Sequence, residues 1–159
     1  MLILYNIEFE FIDMEYRVMA FREKIAWLTL VSMAAGYTLY FGLVLAGHPA
    51  GRAMAPMLWL FGSIALAQVI VVVAGTTLFA IRTPKEGRAR ADERDRSIDG
   101  RSTRIAYYIL MTGMIVVGVI MPFADSGVRL VNAALLTLVL AETARHLVIL
   151  LSYRRGWHG

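Results

Sequence analysis

From Leu140 to Leu150 the sequence reads LAETARHLVIL, and Glu142, Arg145 and His146 interrupt an otherwise largely aliphatic run. Spacings of three and four residues put Arg145 and His146 on the same helical face as Glu142. A carboxylate, a guanidinium and an imidazole arranged in this way suit three uses. One is structural, with Glu142 and Arg145 as an intrahelical ion pair and His146 hydrogen-bonded to a neighbouring helix. Replacing such a buried pair by apolar side chains is often neutral or stabilising, so stability alone is a weak reason to keep one. Another is a proton or ion site, since carboxylate protonation responds strongly to burial and to nearby charge and imidazole ordinarily titrates near neutrality. That site would couple proton binding to a conformational change, or to transport of a cationic or small polar solute. The third is a surface buried against another chain.

The elements that must hold these residues are membrane spans. The chain has 159 residues, of which 58% are hydrophobic, and its mean hydropathy is +0.62, far above what a soluble domain needs for its core. Residues 25–51, 53–81 and 105–124 contain no charged side chain, and each window is long enough to cross a bilayer as a helix of roughly 20 residues. Residues 130–151 are also long enough to span and carry the trio. The expected fold is therefore an all-α integral membrane protein, a four-transmembrane-helix bundle with spans at about 25–45, 56–81, 105–124 and 130–151. Glu142 is 13 residues from Arg129 and 12 from Arg154, which places it roughly 18–20 Å from either end and near the bilayer midplane. An uncompensated charge at that depth costs about 3 to 10 kcal/mol, so the trio must face the bundle or a partner subunit rather than lipid.

Orientation follows from Lys and Arg. Three precede the first span (Arg17, Arg22, Lys24), eight lie in the 82–104 connection, and Arg154 and Arg155 follow the last span. Only Arg52 and Arg129 fall on the other side, thirteen against two, so both termini and the long connection are expected in the cytoplasm (N-in, C-in).

The connection RTPKEGRARADERDRSIDGRSTR carries eight basic and five acidic residues. Glu86 with Arg90 and Asp92 with Arg96 have the acid four residues ahead of the base, the favourable order on a helix, so a charged helix is expected to lead into the third span. Three readings apply to it. The plainest is a solvated positive-inside anchor attracted to anionic lipid, at about 1 kcal/mol per basic residue near the surface. A sharper one is a docking surface for a cytoplasmic protein, built on Asp92, Glu93, Arg94, Asp95 and Arg96, whose alternating signs offer specificity. Direct nucleic-acid binding fits poorly, because five acids oppose the phosphates and no aromatic interleaves the arginines.

FREKIAWLTLV at the first span and ADERDRSIDGRSTRIAYYIL before the third resemble a group of small four-helix bacterial inner-membrane proteins with a DERD motif ahead of a helix. The similarity covers roughly residues 20–155. Members of that group are often encoded beside a short helix-turn-helix regulator, so the resemblance implies a regulatory membrane protein with such a partner and attaches no catalytic role to Asp92, Glu93, Arg94 or Asp95.

Several chemistries are excluded. The sequence has no cysteine, which removes disulfides, thiolate nucleophiles and cysteine-held metals. His48, His146 and His158 belong to three different levels of the expected topology, so no two share a metal site, and a haem on His146 alone is disfavoured. No glycine-rich phosphate loop or Ser–His–Asp set is readable, so neither an enzyme nor a cofactor is expected. Residues 1–24 carry five acids and three bases. They are read as a cytoplasmic segment, either a helix lying along the membrane face or, with Met14 and Met19 as alternative starts, the product of an over-extended gene start. Pro56 is expected in the first turn of the second helix, and Asp125-Ser126-Gly127 in a tight external turn.

Hydroxyl and amide side chains at membrane depth (Thr29, Ser32, Gln68, Thr112) are expected to bond across the bundle. Tyr37, Tyr40, Tyr107, Tyr108, Trp27, Trp59 and Trp157 read as interfacial belt. Small residues at Ser32 and Gly36, Ser63 and Ala67, and Ala133, Thr137 and Ala141 permit close helix approach, and the last row makes the fourth helix the expected centre of the bundle. A homodimer is expected, because so small a bundle has few internal interfaces. Two functions from different classes follow: a non-enzymatic regulatory or interaction protein acting through the charged connection, or a small proton-coupled transporter or channel subunit using Glu142 with Arg145 and His146.

Overall fold

Long uninterrupted apolar runs in lipid leave the backbone no partner but itself, and helices are the solution for such a chain. The computed structural model describes residues 2–48, 52–84, 93–125 and 127–154, with side chains from residue 23 onward. All regular structure among them is helical: α1 (Leu2–Leu45), α2 (Met54–Arg82), α3 (Glu93–Ile115) and α4 (Val128–Arg154). Four helical stretches, Glu23–Leu45, Met54–Arg82, Glu93–Phe123 and Val128–Arg154, are long and apolar enough to cross a membrane.

Three stretches agree with the expected spans to within a few residues. The third begins at Glu93 instead of Ile105, because the charged segment is itself helical and continues into the apolar run without a break. At its other end α3 widens into a π turn at Val116–Ile120 and then tightens into a 3-10 turn at Met121–Phe123. Pro122 explains the change of winding: it has no N–H to offer the carbonyl four residues earlier, so the ladder must shift register around it. Gly127, at φ +53°, then supplies the left-handed residue that lets the chain reverse into α4. Arg129 donates to Asp125 Oδ1 across the same turn at 2.8 Å.

The N-terminal segment is continuous with the first span, since α1 runs unbroken from Leu2 through Lys24 to Leu45. No turn separates the two.

Packing makes α4 the centre. It contacts α3 along most of its length and α1 along its other side, while α2 packs on α1. The apolar window of α4 is 22% buried within the chain, against 11%, 0% and 6% for those of α1, α2 and α3, so the remaining apolar surface is left for lipid or for other chains. Close approach follows the small residues. A Cβ built on Gly113 of α3 would lie 2.1 Å from Thr137 Cγ2 of α4, and one built on Gly36 of α1 would lie 3.1 Å from Ile64 Cγ2 of α2. Thr137 and Ala141 are among the most buried residues of the chain.

Candidate functional site

The helices run antiparallel, and two contacts fix the register of α3 against α4. Tyr153 of α4 donates to Asp95 Oδ1 of α3 at 2.6 Å, and Thr137 faces Gly113. An advance of 18 residues on α3 (95 to 113) matches a retreat of 16 on α4 (153 to 137), close to the one-for-one pairing of two helices of equal rise. Five residues on from Thr137, Glu142 is therefore level with Tyr108, only four residues inside Arg104. Four residues at 1.5 Å make about 6 Å. Along its own helix the trio is central. Against α3 it sits about one turn inside the Arg104 end of the apolar stretch, which corrects the midplane position expected from α4 alone.

This register brings together two groups that lie some fifty residues apart in sequence. Arg145 donates through Nη2 to Asp99 Oδ1 at 3.0 Å. The expected intrahelical Glu142–Arg145 pair is not formed, and the ion pair of Arg145 is with Asp99. The reason is hydration. Arg145 is level with Ile105, so its side chain reaches six residues toward the start of α3 to meet a carboxylate that is 62% exposed, while 35% of its own surface stays open. A long cationic side chain gains more by reaching the wet end of a helix than by neutralising a neighbour in apolar surroundings.

Glu142 is half-buried and near enough to Tyr37 of α1 and to His146 to act on both electrostatically. His146 is half-buried, and its Nδ1 is enclosed without a hydrogen-bond partner. Further along the α1–α4 seam, toward the other end of the bundle, the fully buried Tyr40 donates to Asn132 Oδ1 at 2.7 Å. Asn132 in turn donates to Val128 O and lies 2.9 Å from Met57 Sδ of α2.

Between α1, the charged turns of α3 and the last turns of α4 lies a cleft of about 340 Å³. Asp95, Arg96 and Asp99 line it from α3, His146 and Tyr153 from α4, and Ile25, Ala26 and Thr29 from α1. Beside it, Arg154 reaches α1, with Nε 3.6 Å from Glu23 Oε1 and its guanidinium 5.1 Å from the Trp27 ring centre. The last helix is thus tied at its C-terminal end to both neighbours.

The expected docking residues separate by face. Asp92 lies outside the described residues. Glu93 and Arg96 are exposed, Arg94 is half-buried, and Asp95 is half-buried and bonded to Tyr153. A helix cannot present consecutive residues on one side, so the DERDR run divides. Asp95, half-buried, and Asp99 four residues later, exposed, bond to α4, while Glu93, Arg96, Arg101 and Arg104 are exposed on the other faces.

Two further expectations are corrected. Thr29 and Ser32, expected to bond across the bundle, bond instead to carbonyls three or four residues back on their own helix, the local alternative always open to a hydroxyl, and Gln68 Oε1 is enclosed without a partner. Tyr40 is fully buried within the bundle rather than facing outward, whereas Tyr107, Tyr108 and Trp59 are exposed. Trp157 and His158 lie outside the described residues.

The sequence reading passed over Asp99, Asn132 and Tyr153. The first had a signal, standing one helical turn after Asp95 and hence on its face. Among the described residues no group of three His, Asp or Glu side chains could hold a metal ion. Comparisons of the chain with protein-family models, with curated proteins and with solved structures find no match.

Proposed function

We propose that the chain is a non-enzymatic regulatory or interaction protein of the bacterial inner membrane, N-in and C-in, which binds a cytoplasmic protein through the outward face of helical residues 93–104. The observation that carries this reading is the division of the charged helix. Asp99 and Asp95 are occupied by Arg145 and Tyr153, so the segment is held in one orientation and offers Glu93, Arg96, Arg101 and Arg104 outward. An ordered charged face discriminates between partners better than a loose one, because its charges keep fixed positions and less ordering entropy is lost on binding. The partner class implied by the resemblance of the DERD region is a soluble helix-turn-helix regulator.

The test is a crosslinking pull-down from native membranes comparing the wild type with Glu93→Lys/Arg96→Glu. This variant reverses two exposed charges, keeps the sum unchanged, and leaves the contacts to α4 in place. Loss of one crosslinked cytoplasmic protein in the variant is the expected result. An identical crosslinking pattern would overturn the docking face.

The runner-up, a small proton-coupled transporter, is favoured by one observation: Glu142, Tyr37, Tyr40 and Asn132 share the α1–α4 seam. It predicts that Glu142→Gln abolishes proton-driven solute flux in proteoliposomes. Unchanged flux in that variant would remove it.

A further inference from the structure

Arg145 stands between two carboxylates and uses one. From its level, Asp99 lies six residues, about 9 Å, toward the start of α3, and Glu142 lies three residues, about 4.5 Å, the other way along α4. Nη2 donates to Asp99 Oδ1 at 3.0 Å, while Nε is enclosed and has no hydrogen-bond partner. Glu142 is half-buried and, among the described residues, neither ion-paired nor hydrogen-bonded. Glu142 and Arg145 both act electrostatically on His146, which puts the two charges in one neighbourhood. An unused donor and an unused acceptor thus lie on one helical face, three residues apart.

Relative size decides which carboxylate holds the guanidinium. The Arg145–Asp99 pair is 35% and 62% exposed, and ion pairs so open add little. Hydration of Arg145 favours Asp99 while Glu142 is an uncharged acid, which asks for no counter-ion. An ionised Glu142 adds a second bare charge inside the span to the other side of the balance, and the nearest cation along its helix is Arg145.

We propose that Arg145 exchanges between Asp99 and Glu142 according to the charge on Glu142, so that ionisation inside the last span unties the charged turns of α3 from α4. The groups that face Glu142 are Tyr37 from α1 and Arg145 and His146 on its own helix. From α3, Tyr108 is level but exposed, and Asp99 enters through Arg145. The regulatory meaning rests on the docking reading: with Asp99 released, the helix of residues 93–104 loses one of its ties, and its outward face is less ordered when a partner arrives. The exchange itself needs no partner.

Amide hydrogen exchange of residues 97–103 in the purified full chain, in dodecyl maltoside and without any partner, reads the tie. Rates are normalised to the unstructured-peptide rate at each pH from about 5 to about 9, the range in which a desolvated carboxylate changes charge. As pH rises, Glu142 ionises and draws Arg145 away, so exchange in the wild type should rise about two- to fivefold, the factor for losing a pair worth up to about 1 kcal/mol. Glu142→Gln stays uncharged and should hold exchange at the acid-side rate throughout. Arg145→Met should exchange at the alkaline-side rate at every pH, with no further change on adding Glu142→Gln. A flat or falling profile in the wild type overturns the proposal without recourse to any variant. So does a rise that persists in Glu142→Gln, which would belong to His146, or an effect of Glu142→Gln in the Arg145→Met background. An unchanged crosslinking pattern in the pull-down would remove the docking face and leave this result standing.

Discussion

Replacing Gly113 by Ala tests the packing that sets the site's register. The new Cβ would stand 2.1 Å from Thr137 Cγ2, 2.7 Å from its Oγ1 and 2.9 Å from its Cβ. Carbon atoms rest about 3.5–4.0 Å apart, so the contact is short by more than 1 Å. Thr137 cannot turn away, because it is β-branched, buried, and bonded through Oγ1 to Ala133 O at 2.9 Å. The helices themselves must separate. Overpacking of this kind costs about 1–3 kcal/mol, partly offset by the roughly 1 kcal/mol that Ala gains over Gly in a helix. The net expectation is a loss of about 1–2 kcal/mol.

Gly75 provides the contrast. There the added Cβ meets a single atom closely, Leu28 Cδ2 at 2.3 Å, with the next contacts at 3.5 and 3.6 Å. That methyl is the free end of a flexible side chain, so Gly75→Ala should be neutral or stabilise by up to about 1 kcal/mol. The assay is reversible unfolding of the purified protein in mixed micelles. Adding Thr137→Gly removes all three clashing atoms and should show a favourable coupling of about 1–2 kcal/mol with Gly113→Ala in a double-mutant cycle. If Gly113→Ala unfolds at or above the wild-type midpoint, the close approach of α3 and α4 is refuted, and with it the alignment of Glu142 with Tyr108.

The other predictions concern side-chain contacts. Tyr40→Phe removes a buried hydroxyl from Asn132 and should cost about 1 kcal/mol, while Asn132→Leu in the same background should recover part of it, because replacing both partners avoids an orphaned amide; unfolding midpoints of the three variants check this. Arg145→Met combined with Asp99→Asn should give a coupling below about 1 kcal/mol, since both side chains keep substantial solvent contact (35% and 62% exposed). A coupling above about 2 kcal/mol in that cycle would mean that the pair is sealed from water and that the hydration argument for Arg145 is wrong.

Much of the fold was readable because lipid imposes few solutions. Three charge-free runs and the apolar window 130–151 gave the number of helices and most of their limits, and the row Ala133, Thr137, Ala141 pointed to α4 as the most enclosed. The site was legible only in pieces. Depth counted along α4 alone put Glu142 at the midplane, and no single helix reveals what stands beside it. The correction came from the register against α3, whose charged turns extend along the last turns of α4. The partner of Arg145 was hidden for the same reason: Glu142 is the near neighbour in sequence, but Asp99 is the wetter carboxylate within reach. Tyr40 looked interfacial from its position near a span end, and its burial depends on Asn132 and Met57, which arrive from two other helices.

The central claim is that residues 93–104 form a helix on the cytoplasmic side, at the opposite end of the bundle from the Asp125–Gly127 turn. The sequence has no cysteine, so a single introduced thiol reports without background. Ser97 and Ala124 are both exposed, and Ser97→Cys and Ala124→Cys can be labelled separately with a membrane-impermeant maleimide on intact spheroplasts. Ala124→Cys should react from outside, and Ser97→Cys only after permeabilisation. Reaction of both from the same side, or of Ser97→Cys in intact spheroplasts, would contradict the account.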